Sequence, residues 1–292
     1  MEELDFQSEL GECDGYTRSD IDDRVRYLSE RSVALLVITD GRDEYLKRCV
    51  ESAENMLHPR WERFEELWMY DDTGDEDYRR RLREAYPQWR HINGGPRQGC
   101  AGAIASAWNE LRERSQARFI FHLEQDFVFT RRVGVDSMAR ILRRHKYIAQ
   151  IALIRQPCNP FERQHGGLIE SHPDWYTLKH GEMSPYSGVD GLSWLEHRSF
   201  FTCNPCLYRR DLLTLGWPEH RDGRYSEDTF HRRLLTEGIP GIPGEDVRYA
   251  YFTGVAPTEV LFGDGGDVGT GWMSRPWVEH IGDARHTDGR GY

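Results

Sequence analysis

Val33-Ala-Leu-Leu-Val-Ile-Thr39, followed at once by Asp40-Gly-Arg-Asp43, decides the fold. The run lacks the polar alternation of a half-exposed strand, so it fits a strand buried on both faces, as in a parallel sheet. Outward from it, Tyr45, Leu46, Cys49, Val50, Ala53, Met56 and Leu57 recur at helical spacing until His58-Pro59 stops the pattern. The unit then repeats. Leu67-Trp-Met-Tyr70 is a second strand closed by Asp71-Asp-Thr-Gly74, and residues 78–86 are a basic helix stopped by Pro87. Trp89 to Ile92 is a third strand, Gly94 to Gly99 a glycine-rich loop, and Ala101 to Leu111 a helix of small residues. Phe119-Ile-Phe-His-Leu123 is a fourth strand running into Glu124-Gln-Asp126, with Phe127-Val-Phe129 beyond it. Alternating strands and helices predict an α/β fold with a mostly parallel central sheet and flanking helices, whose ligands bind beyond the carboxyl ends of the strands.

The chain has 292 residues, 38% hydrophobic and 30% charged, which excludes a disordered or fibrous polymer. We expect an arm over 1–30, a nucleotide-binding half over 31–130 and a loop-rich, acceptor-binding half over 131–292, the two halves forming one continuous domain. The second half brings frequent Trp and Tyr and three long loops, Asn159 to Gly167, His180 to Gly191 and Gly263 to Gly271. The formal net charge of -11 does not steer the whole protein toward phosphate backbones. No window approaches the ~20 apolar residues of a membrane span, and the acidic start lacks a signal-peptide pattern. With six cysteines, too few for a disulfide scaffold, the expected compartment is cytoplasmic.

Asp40, Asp71, Asp72, Glu124 and Asp126 all follow predicted strands, so the sheet gathers them along one edge. Crowded carboxylates repel unless a cation or a hydrogen-bonding ligand shares the site, and Mg²⁺ or Mn²⁺ with substrate phosphates resolves the repulsion. The same residues would also serve as caps of the following helices. Glu227 and Asp228, after Ser226, fall in the first turn of a further predicted helix, where acidic residues face its positive end. Trp175, Tyr176, Trp194 and Trp217 offer faces for stacking on a sugar or a base, or fill the core.

Ile38-Thr-Asp-Gly-Arg42, Tyr70-Asp-Asp-Thr-Gly-Asp75, Gly99 to Asn109 and Phe121-His-Leu-Glu-Gln-Asp126, in that order, resemble the nucleotide-sugar half of the GT-A glycosyltransferases, especially the inverting family-two group. Tyr225-Ser-Glu-Asp228 resembles that fold's Glu-Asp motif, and Trp277-Val-Glu-His-Ile-Gly282 its C-terminal metal-binding His segment. The resemblance implies a metal-dependent transfer of a sugar from a nucleoside-diphosphate sugar, commonly a UDP-sugar, to an acceptor hydroxyl. It implies that Thr39, Asp40, Arg42, Asp71, Asp72, Gly99, Glu124 and Gln125 border the donor, with Asp72 on the base. Glu124-Gln125-Asp126 stands for the Asp-x-Asp motif, with Glu in place of the first Asp. Asp126 and His280 become the Mn²⁺ or Mg²⁺ ligands, with His286 a competitor for the second place. Asp228 becomes the general base, paired with Glu227, while Asn204 and Trp194 lie on the acceptor side.

Other classes remain open on sequence alone. Cys203-Asn-Pro-Cys206 has the spacing of thiol oxidoreductases and of half a zinc ribbon, but no second Cys-x-x-Cys completes a four-thiolate site. A nucleotidyltransferase would want a more glycine-rich loop after the first strand. A non-catalytic carbohydrate- or nucleotide-binding module would not need the Glu-Asp pair. The acceptor ranges over glycan, protein, small molecule or a hydroxymethylated base in DNA, the last because of basic clusters such as Arg79 to Arg81 and Arg131-Arg132.

Overall fold

A computed structural model describes residues 32–58, 64–157, 159–181, 192–218, 226–254 and 276–282. The expected arm over 1–30, the loop Gly263 to Gly271, most of the loop His180 to Gly191, and His286 lie outside these residues. Nine strands form one mixed sheet: β1 (Val33–Thr39), β3 (Glu66–Asp71), β4 (Arg90–Asn93), β5 (Phe119–Glu124), β8 (Ile148–Ala152), β9 (Thr177–His180), β10 (Ser193–His197), β11 (Cys206–Arg209) and β12 (Arg248–Gly254). Their order is β4-β3-β1-β5-β11-β8-β12-β10-β9. Two small ladders sit beside it, β2 (Leu57–His58) with β7 (Val133–Gly134), and β6 (Phe127–Phe129) with β13 (Val278–His280). The large sheet runs through both halves of the sequence.

β1 is parallel to both neighbours, pairing Thr39 with Asp71 of β3 and Ile38 with Glu124 of β5. Its odd residues Val33, Leu35 and Val37 pack under α1 (Asp43–Met56) and α4 (Val135–Arg144), with Tyr78 and Leu82 of α2 (Glu76–Ala85). Its even residues Ala34 and Leu36 pack against α3 (Gly99–Arg114) and α7 (Ser226–Glu237). On that second face Trp108 anchors an aromatic cluster, its ring 5.1 Å from Trp217 and 5.2 Å from both Tyr208 and Phe230. The continuous apolar run is therefore explained by helices on both faces.

Helix boundaries follow local chemistry. α2 starts where the Asp75 carboxylate accepts from the backbone N–H of Asp77 (2.8 Å) and Tyr78 (3.2 Å). The stretch expected as a loop, Asn159 to Gly167, instead holds the short helix α5 (Pro160–His165), which leads into α6 (Leu168–Ser171). Asn159 caps α5 through the Glu162 N–H at 2.8 Å, Pro160 sits where no donor is needed, and Gly166 ends it at φ 97°. The turn after β1 needs a glycine at 41. It has φ 98°, and a Cβ there would lie 2.7 Å from Thr73 Cγ2.

The parallel expectation fails at two strands, β10, antiparallel to both β12 and β9, and β11. β11 runs antiparallel to both β5 and β8, with Cys206 opposite His122 and Arg209 opposite Phe119. A reversed strand begins at the edge where its parallel neighbours end, so residues 199–205 are delivered to the carboxyl edge of β5. A 3-10 turn, Arg210–Leu215, follows this strand. Among the described residues no helix is long and apolar enough to cross a membrane.

His197, 4% exposed, lies among the rings of Tyr176, Phe200, Tyr249 and Tyr251, and its Nδ1 accepts from the Ser199 N–H at 3.4 Å. Burial, with the His231 charge as a lesser cause, lowers its pKa from the ordinary 6.5 to about 3. Between these values the unfolded chain binds a proton that the native core refuses. Stability conferred by neutral His197 is present above pH 6.5 and is lost as pH falls toward 3, at up to about 1.4 kcal/mol per pH unit. Urea unfolding of wild type and His197→Phe across pH 7 to 4 should show a shallower acid loss in the variant. Parallel pH profiles would remove His197 as the cause.

Candidate active site

Five segments meet at the carboxyl edge of β1, β3 and β5. Asp126 follows β5, and its carboxylate Oδ2 accepts from Arg42 Nη2 at 3.0 Å and lies 3.3 Å from His280 Nε2. His280 is brought there by the β6–β13 ladder, which sets it opposite Phe127. The Ile281 N–H donates to the Asp126 carbonyl at 2.7 Å, and Gln156 closes two hydrogen bonds of 2.9 Å with the His280 backbone. Burial pushes the Asp126 carboxyl up, but hydrogen bonding and charge from His280 and Arg42 outweigh it and hold it below the usual carboxylate range. The same contact with Asp126 raises the His280 imidazole.

Beneath this cluster, Arg42 Nε also binds Asp40 at 2.8 Å, and Gln125 Nε2 donates to the same Asp40 oxygen. Gln125 Oε1 accepts from the Thr39 hydroxyl at 2.6 Å, so Thr39, Asp40, Arg42, Gln125 and Asp126 are linked in one network. The other carboxylate atom of Asp126, Oδ1, is buried and has no hydrogen-bond partner among the described residues. A buried, unsatisfied carboxylate oxygen beside an imidazole suits a cation ligand, because such an atom is costly to bury unless something binds it. Oxygen and nitrogen donors of this kind suit Mg²⁺ or Mn²⁺, and the imidazole favours Mn²⁺. Gly282 completes the cradle, since a Cβ there would fall 2.5 Å from Asp126 Oδ2.

Asp71 and Asp72 divide. Asp71 is buried and paired with Arg79 at 2.9 Å, and it also accepts from the Thr73 N–H (3.0 Å) and hydroxyl (2.8 Å). That makes Asp71 a brace of the β3 turn. Asp72 accepts from the Gln98 N–H at 2.9 Å and the Gly99 N–H at 2.8 Å, fixing the start of α3 against β3. Burial raises the Asp72 carboxyl, with those two N–H bonds opposing.

Glu124 turns to the opposite side from Asp126. It meets Cys100 Sγ at 3.9 Å and His122 Nε2 at 3.8 Å. Next to it, Glu227 accepts from the Cys203 N–H, tying the first turn of α7 to the start of the reversed strand, beside Asn204. Burial raises the Glu227 carboxyl, the Cys203 N–H opposing. Asp228, one residue on, is 40% exposed and pairs with Arg232 at 3.0 Å on the outer side of the helix. Trp194 does not join the site. It is 2% exposed, packed on His145 at 4.7 Å between ring centroids, on β10, four strands from β5. At about 4.8 Å per strand that is roughly 19 Å. Trp217 is likewise core, whereas Trp175 stays exposed and stacks on His172. Cys203 and Cys206 are both free thiols, and the Cys206 sulfur accepts from Gln150 Nε2 at 3.0 Å.

Sequence reasoning passed over His122, Gln156 and Gly282, and took Arg79 only as part of a basic cluster, whereas it is buried against Asp71. His122 alone carried a signal, as the one polar residue inside the apolar strand Phe119 to Leu123.

No protein-family model and no curated protein matches the chain. Among solved structures it is similar to the mannosyltransferase PcManGT from Pyrobaculum calidifontis in complex with GDP-Man and Mn²⁺, at 12% identity and TM-score 0.46, over 76% of this chain and 54% of that one. It is also similar to S. aureus TarS 1-349 in complex with UDP, at 13% identity and TM-score 0.46, over 76% of this chain and 60% of that one. The match thus spans little more than half the length of those chains.

Arg79→Ala would leave Asp71 buried without its cation. Breaking a buried pair on one side costs about 3–5 kcal/mol, so urea unfolding should register a loss of that size. A change below about 1 kcal/mol, the scale of an exposed pair, would mean Asp71 is solvated.

Proposed function

We propose that this protein transfers a sugar from a nucleoside-diphosphate sugar, a UDP-sugar in the first instance, to an acceptor hydroxyl, with inversion. The observation that carries this is the unsatisfied Oδ1 of Asp126, set beside His280 and Arg42 where parallel strands end. Asp126 and His280 would hold the divalent ion, which supplies positive charge opposite the donor diphosphate. Arg42 adds a fixed cation at the same place, so developing negative charge on the leaving group meets preorganised donors. Asp40, Gln125 and Thr39 keep Arg42 and the Asp126 turn in place. Asp72 holds the loop before α3, whose Gly99 borders the base, and Glu124 faces the donor sugar.

Glu227 anchors the first turn of α7 to the Cys203 backbone, and Asp228 in that turn takes the proton of the attacking hydroxyl. The proton moves from the acceptor oxygen to the Asp228 carboxylate as that oxygen bonds the anomeric carbon and the bond to the diphosphate breaks. Turning toward the acceptor requires Asp228 to leave its exposed pair with Arg232, a contact worth well under about 1 kcal/mol.

Thermal shifts with UDP, GDP and their sugars, with and without Mn²⁺, test the donor half. A ligand at about 100 Kd adds roughly 2.7 kcal/mol, so one nucleotide should stabilise the wild type only with metal. Asp126→Asn and Gly282→Ala should both lose that metal-dependent increment, the second because its Cβ displaces the carboxylate. Asp228→Asn should keep donor binding and lower kcat at least about 100-fold, the lower range for a lost general base. If Glu227→Gln shows that loss and Asp228→Asn does not, the base is Glu227. Donor binding with neither hydrolysis nor transfer would leave a binding module.

A further inference from the structure

Three strand and loop positions and one in the first turn of α3 gather a second donor set beside the first. His122 of β5 is 1% exposed, and its Nε2 is buried with no hydrogen-bond partner among the described residues. It is aimed at Glu124 Oε1, 3.8 Å away. The thiol of Cys203, 8% exposed, completes a triangle in which one ligand atom from each of His122, Glu124 and Cys203 lies within 4.8 Å of the others. Cys100 Sγ, 3.9 Å from the same Glu124 oxygen, borders the set. The reversed strand is the cause, since pairing Cys206 with His122 places Cys203 just beyond the end of β5.

We infer that His122, Glu124 and Cys203 form a binding site for a borderline-soft divalent ion of the Zn²⁺ class, separate from the hard-ion position at Asp126 and His280. One imidazole, one carboxylate and one thiolate are a three-ligand zinc set that keeps a fourth position for water. Zn²⁺ bonds of about 2.0–2.3 Å require ligand–ligand edges of about 3.3–3.8 Å in a tetrahedron. The nitrogen–oxygen edge between His122 and Glu124, 3.8 Å, has to close by about 0.4 Å, and the Cys203 thiol by at most about 1.5 Å from its 4.8 Å limit. On binding, the Cys203 S–H bond breaks, its proton leaves to solvent and the sulfur pair bonds the ion. Sulfur selects this ion over Mg²⁺ and Mn²⁺, which prefer oxygen ligands. The half-buried Glu124 supplies the way in from the cleft. Since Glu124 faces the donor sugar in the proposed function, an ion here competes with donor binding, a consequence that rests on that reading, whereas the site itself does not.

Cobalt is the probe. Titrating the full chain with Co²⁺ should produce a thiolate-to-cobalt charge-transfer absorption, and Zn²⁺ should displace it. Cys203→Ser should abolish that absorption, and His122→Gln should weaken Co²⁺ binding at least about 10-fold, the lower end for a lost ligand or its support. Cys206→Ser, whose thiol faces Gln150, and Asp126→Asn should both retain it. Absence of the absorption in wild type, its survival in Cys203→Ser, or its loss in Asp126→Asn would overturn the site. A failure of the sugar-transfer reading alone would leave all five spectra as expected.

Discussion

Burial of β1 on both faces is the constraint on which everything else depends. A strand with no solvent side must be paired along both edges and covered by helices above and below. β3 and β5 supply the edges, α1 and α4 one cover, α3 and α7 the other. Because β1, β3 and β5 are parallel, they all end on the same side. The polar residues that terminate them therefore face one another across about two strand spacings. Those termini carry Asp40, Asp71, Asp72, Glu124, Gln125 and Asp126, so the packing of the core and the charge of the cleft have one origin.

Like charges brought together this way need compensation, and the molecule uses two kinds. Asp71 is neutralised by a buried arginine from its own following helix, and Asp72 by two backbone N–H groups at the start of α3. These are structural solutions that need no ligand. Asp126 is compensated from afar, by Arg42 of the first loop and by His280, 154 residues along the chain. Its second oxygen remains unmatched, and that difference separates the acid we assign to metal from the acids that hold turns.

β11 gives the cleft its other wall. Had it run parallel to β5, Cys203 and Asn204 would lie at the far edge of the sheet and α7 would have no backbone there to dock on. Its reversal brings the Cys203 N–H to Glu227 and the Cys203 thiol to His122 and Glu124. Glu124 and Asp126, one residue apart, consequently face different chemistry. Asp126 meets guanidinium and imidazole, and Glu124 meets thiols and a buried imidazole.

The sequence by itself determined the first half of the fold, because period-2 and period-3.6 patterning is local. The apolar run Val33–Thr39, the helices after it and the acidic strand ends were all legible, and the resemblance added Arg42 and His280, the two side chains that meet Asp126. Where a short-range rule was missed, as with the Asn159 cap and Pro160 of α5, the signal was present in the chain. What only the tertiary structure decided were relations between distant segments: the reversal of β11, the β6–β13 ladder that carries His280 to Asp126, and the split between Glu227 inside and Asp228 outside. It also decided that Trp194 is core, since Trp is equally suited to a sugar face and to a sheet interior. Strand direction and register depend on which backbones pair across the sheet, and no local pattern of side chains encodes that choice.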